Sequence, residues 1–423
     1  TNNKSRQLLK IDVMSEWKEV ELQQIADVQT GPFGSQLKNE QYITGGTPVV
    51  TVEHLKDFRI IDFNYPSVTD EDKNRLSKYL LKQGDIVFTR VGSVDLSAFV
   101  KKHQDGWMFS SRMLRVRTNA FEVDSRFLSY YFQQKNFRDY ILNISVGATM
   151  PSINTEILKA IPVSYPSLPE QKSIASILSC LDDKIDLLHR QNATLEKMAE
   201  TLFRQWFVER RPEPVEGEAK EEWKEIKLGR IVDIINGVSY NSDDLNPSKT
   251  AMVTLKNFDR NGGFRMDGFK EYIGKYKKQH ILKEGDLVVA QTDITQEAGV
   301  IGNPVMVIGN PKYDTLVFSM DLVKVISKDE NYSNEFLYLL MKSRAFKEHC
   351  LGYSNGSTVL HLSKKAIPEY EMKLPSKNFI NDFSIKIKPL VQKQYRNQTQ
   401  IRTLTALRDT LLPKLMSGEI RVL

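Results

Sequence analysis

Two cysteines, six histidines and a few turn-borne polar side chains are the residues of this 423-residue chain with chemical potential. Cys180 and Cys350 lie far apart and form no Cys-x-x-Cys pair, which excludes a disulfide scaffold and a cysteine zinc site. Both read as small buried hydrophobes in a reducing compartment. The histidines (His54, His103, His189, His280, His349, His361) show no His-Glu-x-x-His or other close ligand spacing, so no metal is expected. No Gly-x-x-x-x-Gly-Lys-Ser/Thr phosphate loop occurs, which argues against ATP hydrolysis. An adenine methyltransferase needs an Asn-Pro-Pro-aromatic run, and Asn64-Tyr65-Pro66 is a poor shadow of one. Glu16-Trp17-Lys18 has the form of a metal-nuclease tail. It recurs at Glu222-Trp223-Lys224 without a well-placed upstream acid in either copy, and reads as the opening strand of a repeat. No catalytic residue and no cofactor is expected.

Binding chemistry is better supplied. Reading bases takes polar side chains on loops or strands that reach a groove; phosphates take Lys, Arg, hydroxyls or backbone N–H groups. Two runs qualify: Thr89-Arg90-Val91-Gly92-Ser93-Val94-Asp95 and Gln291-Thr292-Asp293-Ile294-Thr295-Gln296. Their candidate DNA contacts are Thr89, Arg90, Ser93, Gln291, Thr292 and Thr295. Arg90 could fork onto guanine and Gln291 onto adenine; either could instead be a turn residue in solvent. The paired turns Gly31-Pro32-Phe33-Gly34-Ser35 and Gly237-Val238-Ser239-Tyr240 add Phe33, Ser35, Ser239 and Tyr240. His54 and Asn257 sit at equivalent places after a strand, as readout or as structure. Gly147-Ala148-Thr149 and Gly356-Ser357-Thr358 read as turns rather than contacts.

The net charge of +6 and a pI near 8.9 permit nucleic-acid binding without establishing it. Lys101, Lys102, His103, Arg112, Arg115, Arg117, Arg126, Lys135 and Arg138 crowd one stretch, either as a basic face over a polyanion or as a solvated strand surface. No apolar run approaches the ~18 residues of a membrane helix. The polar stretch Thr1 to Lys10 lacks an apolar signal core. The expected location is cytoplasmic, with no membrane partner.

The elements that must position these residues occur twice. EWKEVELQQIADVQTG begins at Glu16 and EWKEIKLGRIVDIING at Glu222, with eight of 16 positions identical. TPVVTVEHL at Thr47 matches TAMVTLKNF at Thr250, and LKQGDIVF at Leu81 matches LKEGDLVV at Leu282. The offsets are 206, 203 and 201, so loops between these blocks absorb small length changes. A gapless match at offset 209 then runs from Phe127-Leu128 and Phe336-Leu337 to Leu202 and Leu411. A long helix demands such a match, because one insertion would rotate its apolar face.

Each half therefore reads as a mixed, β-rich globule followed by a long helix. Strands are expected at Pro48 to Val52, Asp85 to Phe88 and Leu287 to Ala290, and helices at Arg126 to Tyr140 and Asn334 to Cys350. Ser167 is a candidate helix cap. Ile174, Leu178, Leu181, Ile185, Leu188, Asn192, Leu195, Ala199, Leu202 and Trp206 make a heptad seam. Asn192 either fixes register or is a tolerated exposed residue. Phe383, Ile387, Leu390, Ile401, Leu404, Leu411 and Leu415 form the second seam, with a polar middle from Gln394 to Gln400. The expected organisation is α+β: globules at 15–166 and 222–375, long helices at 167–208 and 376–418, and a Pro- and charge-rich linker at 209–221. Paired, antiparallel, pseudo-two-fold helices spanning ~60 Å would hold the globules apart.

The order of these blocks resembles type I restriction-modification specificity subunits. The resemblance is carried by Trp17 and Trp223, by Lys82 to Val87 and Lys283 to Val288, and by Gly147-Ala148-Thr149 and Gly356-Ser357-Thr358. Its most specific part is the helix opening Leu168-Pro169-Glu170-Gln171-Lys172-Ser173-Ile174; Leu411 to Ile420 is similar to the family's second helix. Lys377-Asn378-Phe379-Ile380 departs from that opening. The resemblance implies two target recognition domains, each reading one part of a bipartite site in double-stranded DNA. It implies coiled-coil helices that set the spacer and dock two methyltransferase subunits. A restriction-translocase subunit would join for cleavage, and the chain itself would be no enzyme. The rival classes are a single-chain nuclease or methyltransferase, which would cut or methylate duplex DNA unaided, and a coiled-coil scaffold, which would show no salt-dependent duplex binding.

Overall fold

A computed structural model describes residues 17–61, 64–119, 121–147, 149–209, 223–259, 263–295, 297–356 and 359–422. The expected linker at 209–221 lies almost wholly outside the described residues. The chain divides into two compact units, Thr1–Leu187 with Gln400–Leu423, and Leu188–Thr399. Both long helices are cut by these boundaries, so each unit contains part of each helix.

In the first unit a four-stranded antiparallel sheet runs in the order Ala26–Thr30, Met113–Thr118, Ile86–Thr89, Ser97–Phe99. Its centre is apolar at successive positions because it has a core on each face. Ile86, Phe88, Leu114 and Val116 face a helical core; Val87, Ala98 and Met113 face a β-rich one. The second unit repeats the sheet as Val232–Asn236, Leu322–Ser327, Leu287–Ala290, Pro304–Met306. There Leu287, Val289, Val323 and Val325 face the helices, while Val288, Ala290 and Leu322 face the other core. The opening strand Lys18–Glu21 pairs with Pro162–Tyr165, and Lys224–Lys227 pairs with Glu371–Leu374, so each globule's ends are joined.

The Lys-x-Gly-Asp motif is scaffold. Gly84 (φ 94°) and Gly285 (φ 84°) make left-handed turns that disfavour a side chain. Asp85 then accepts from Lys82 N at 2.7 Å and Asp286 from Lys283 N at 2.7 Å. Arg117 holds Asp85, and Lys324 holds Asp286, from the neighbouring strand.

The helices expected at 126–140 and 334–350 are each two helices. Ser125–Gln133 is followed by Lys135–Ile144, and Asn334–Lys342 by Arg344–Gly352. The breaks fall at Gln134 (ψ 140°) and Ser343 (ψ 148°), where one residue ends a helix and precedes the next; Ser343 caps its helix by accepting from Phe346 N, and Gln134 makes no side-chain cap. Apolar periodicity continues across the break, which is why the sequence reads as one helix.

The long helices are Leu168–Arg204 and Lys377–Met416. In the first unit Ile174 and Leu178 enter the core with Leu412, Leu415 and Met416, and Asp182 pairs with Arg408 at 3.0 Å. In the second unit Asn192 meets Asn397, Gln394 bonds Glu196, and Phe203 packs on Phe383. Rising numbers on one helix meet falling numbers on the other, so the segments are antiparallel. The buried position is Phe203, with Leu202 only partly buried.

The departure at Lys377 to Ile380 leaves the helix start in place and changes how it docks. Gln171 is fully buried; it donates to Glu122 O and Pro166 O and accepts from Asp124 N. Its counterpart, Ile380, is equally buried in an apolar core. A hydrogen-bonded anchor in one repeat is replaced by an apolar one in the other. Among the described residues no helix is long and apolar enough to cross a membrane.

Candidate nucleic-acid interface

The β-turn regions beside the two central sheets gather most of the candidate contacts, and the gathering is the same in each unit. In the first, Arg90 follows the strand Ile86–Thr89. Its N–H donates to Arg112 O at 2.8 Å, and its carbonyl accepts from Ile153 N at 2.9 Å. In the second, Gln291 N donates to Asp321 O at 2.7 Å, and Gln291 O accepts from Leu362 N at 2.7 Å. The backbone frame is thus repeated while the side chains differ: Arg90 beside Arg112 in one, Gln291 beside Asp321 in the other.

The side chains have different company. The Arg90 guanidinium lies 5.6 Å from the Phe33 ring centroid and donates to Ser111 O at 3.3 Å. Phe33 is 49% exposed, so the pair forms a cationic, aromatic surface. Ser35 and Ser93 are exposed in the same two turns. In the second unit Gln291 Nε2 donates to Leu322 O at 3.2 Å and Met320 O at 3.4 Å. Tyr240 takes a bond from Lys270 Nζ at 3.0 Å, and Ser239 beside it is exposed. Ile294 and Met320 are 73% and 54% exposed there.

The glycines that open the paired turns serve the frame. A Cβ on Gly31 would lie 2.1 Å from Ser110 O, and one on Gly237 would lie 2.0 Å from Ser319 O. Gly147 (φ 106°) and Gly356 (φ 131°) are turn residues in short hairpins beside the candidate loops. Ala148, Gln296, Ser357 and Thr358 lie outside the described residues.

Four candidates are corrected. Thr89, His54, Asn257 and Thr292 are buried, and a side chain closed off from solvent cannot meet a groove. Thr89 Oγ1 bonds Ser93 O and Leu96 O. His54 Nδ1 accepts from Thr51 N at 3.0 Å, and Asn257 Oδ1 accepts from Thr254 N at 2.9 Å. Of the two roles open for His54 and Asn257, both take the structural one, and it is the same turn cap. Thr292 Oγ1 donates to Asp321 at 3.0 Å. Thr295 is half-buried and donates twice to Asp293, from N and Oγ1. Burial pushes the Asp293 carboxyl up, but bonds from Val300 N, Thr295 and Ile301 N outweigh it and hold the group below the usual carboxylate range.

The basic stretch from Lys101 to Arg138 is not one cationic face. Arg115 pairs with Asp27, Arg117 with Asp85, Lys101 with Asp186, Arg126 with Asp183 and Arg138 with Asp95. Arg115 and Arg117 are two apart on the strand Met113–Thr118 and so share one face, and each is neutralised there by its own carboxylate. Sequence reading missed Arg112 as a companion of Arg90, because only the sheet brings them together. It also missed the exposed run Lys275-Tyr276-Lys277-Lys278, whose compact charge was visible in the sequence.

The type I restriction modification DNA specificity domain matches residues 14–197 and 220–395. The type I restriction enzyme MjaIX specificity subunit of Methanocaldococcus jannaschii is 26% identical over 426 residues, covering 97% of this chain and 95% of that protein. The HindI specificity subunit of Haemophilus influenzae is 23% identical over 469 residues, covering 96% and 100%. The crystal structure of the type I restriction-modification S subunit from M. genitalium aligns with a TM-score of 0.58 at 17% identity, covering 95% of this chain and 96% of that one. That likeness concerns the fold.

Proposed function

We infer the function from one premise: this chain belongs to the family of type I restriction modification DNA specificity domains, which its two halves match in turn. It is the DNA-reading subunit of a type I restriction-modification complex. Its recognition domains, 15–166 and 222–375, each read one half of a bipartite, asymmetric site in double-stranded DNA. The helical segments 167–208 and 376–418 set the unread spacer and dock two methyltransferase subunits, with 209–221 as the linker. A restriction-translocase subunit joins for cleavage. The chain works in the cytoplasm, needs no cofactor and leaves the chemistry to its partners.

One observation carries the reading. A repeated backbone frame carries Arg90 and Arg112 in one unit and Gln291 and Asp321 at the equivalent positions of the other. Arginine suits the O6 and N7 acceptors of guanine, glutamine suits adenine, and a carboxylate accepts from the cytosine amino group. A frame that repeats while its tips differ suits half-sites of unlike sequence. Phe33, Ser35, Ser93, Ser239, Tyr240 and Thr295 border these tips, and Lys275, Lys277 and Lys278 suit phosphate. The test is exchange of residues 89 to 95, read by sequencing the modified bases in a host. One half of the modified motif is expected to change and the other to stay. Loss of both halves, or change in neither, counts against the assignment.

A further inference from the structure

The two candidate readout loops differ in sequence, yet a cation from the same place in the fold grips each. In the first unit Arg138, on the helix Lys135–Ile144, bonds Asp95 Oδ2 through Nε at 3.0 Å and Nη2 at 2.5 Å. Asp95 stands in the connection between Ile86–Thr89 and Ser97–Phe99, and its side chain is mostly buried. In the second unit the residue 209 positions later is Lys347, on the helix Arg344–Gly352. Its Nζ lies 2.9 Å from Ala298 O, 2.5 Å from Ile301 O and 2.8 Å from Asn303 Oδ1. An ammonium has three donors and no acceptor, and these three oxygens satisfy it.

The gripped loop is a constrained one. Ala298 has φ 52°, a left-handed conformation that a residue with a Cβ adopts at some cost. Lys347 holds the carbonyl of that residue. On the other side, Asp293 Oδ2 takes Val300 N at 2.7 Å. Both cations are thus turned toward loop oxygens, one onto a carboxylate and the other onto carbonyls.

We propose that Arg138 and Lys347 are positioning residues for base recognition, each holding its readout loop in one shape without touching DNA. The proposal rests on the reading that the loops after Thr89 and Ala290 face bases. A loop free to change shape is ordered at a cost on binding and adapts to wrong bases, whereas a pinned loop does neither. The frame supplies a cation at a constant site, and each loop supplies acceptors of its own.

The competing role for these cations is a direct phosphate contact, and the two roles differ measurably. Removing a phosphate contact weakens all sequences alike and lowers the salt slope by about one. Removing a positioning residue lowers discrimination in its own half-site at an unchanged slope. The experiment uses the full chain assembled with its modification subunits, and duplex libraries randomised in one half-site at a time, over a range of salt. Arg138→Leu and Asp95→Asn are each expected to cut discrimination roughly tenfold in the first half-site alone. Lys347→Met is expected to do so in the second half-site alone. Asp95→Asn is decisive, since a phosphate role for Arg138 predicts tighter binding once the competing carboxylate is gone. Should Arg138→Leu or Lys347→Met unfold, Arg138→Lys and Lys347→Gln carry the same readout. Uniform weakening with a shallower salt slope, or unaltered discrimination, overturns the proposal. If exchanging residues 89 to 95 changes neither half-site, the reading of the loops falls. If that exchange works and the cation variants discriminate normally, only the positioning role falls.

Discussion

Asn397 donates through Nδ2 to Asn192 Oδ1 at 2.9 Å, while its own Oδ1 is buried without a hydrogen-bond partner among the described residues. Of the two roles open for Asn192, the structure gives it the partnered one. A buried amide with an unsatisfied acceptor costs stability and disfavours slipped pairings of the two helices. Asn192→Leu alone leaves the buried Asn397 amide only the longer bond to Gln191 Oε1 at 3.4 Å and is expected to lower stability by about 1–3 kcal/mol. Asn192→Leu with Asn397→Leu is expected to be neutral or stabilising. Urea unfolding of the three proteins checks this. A double variant weaker than both the parent and the single variant would show that the polar pair stabilises the helices outright.

Gly31→Ala and Gly237→Ala bring a methyl group against a backbone carbonyl just past a strand's end, since the new Cβ would lie 2.1 Å from Ser110 O or 2.0 Å from Ser319 O. Backbone must shift to relieve this, at about 1–3 kcal/mol or more. Gly34→Ala, which meets nothing within 4 Å, is the matched control and should be near neutral. Equal thermal midpoints for Gly31→Ala and Gly34→Ala would refute the close approach.

Asp329 takes bonds from Lys377, at the start of the second long helix, and from Asn331, which lower its carboxyl to about 2. A folded value below the ordinary one means that its contribution is present above about pH 4 and is lost as pH falls toward 2. Asp329→Asn should therefore unfold at lower urea than the parent near pH 7, with the gap closing in acid. A gap that widens on acidification would contradict the sign. The pair is exposed enough that solvent screening keeps the effect small.

Cys180 is exposed on the first long helix, and Cys350 is fully buried with its thiol pushed up to about 12 by burial. A thiolate is the reactive form. Iodoacetamide should label Cys180 in the native protein and reach Cys350 only after unfolding, as peptide mass spectrometry would show. This amends the expectation that both cysteines are buried.

Much of the fold is legible in the sequence, for identifiable reasons. The offset of 209 aligns Asp124 with Ser333, Gln134 with Ser343 and Ile153 with Leu362, and each pair plays one backbone role in its unit. The helix breaks were hard to read because Gln134 makes no side-chain cap, and the one capping signal, Ser343 accepting from Phe346 N, sits inside an unbroken apolar periodicity. The candidate site was half legible. Arg90 and Gln291 stand out because they follow a repeated strand and differ, but burial sorts Thr89, His54, Asn257 and Thr292 away from Ser93, Phe33, Ser239 and Tyr240. Burial depends on what crosses above a residue, and local spacing carries no trace of that.

By itself the amino-acid order determined the duplication, the paired long helices, the family resemblance and the absence of recognisable catalytic motifs. These are properties of periodicity and residue type, which survive without neighbours. Tertiary structure alone decided which cations remain at the surface, that Arg112 joins Arg90, that Asn397 answers Asn192, and that Arg138 and Lys347 turn inward to their loops. Each of those depends on side chains brought together across long stretches of chain, where geometry and not order chooses the partner.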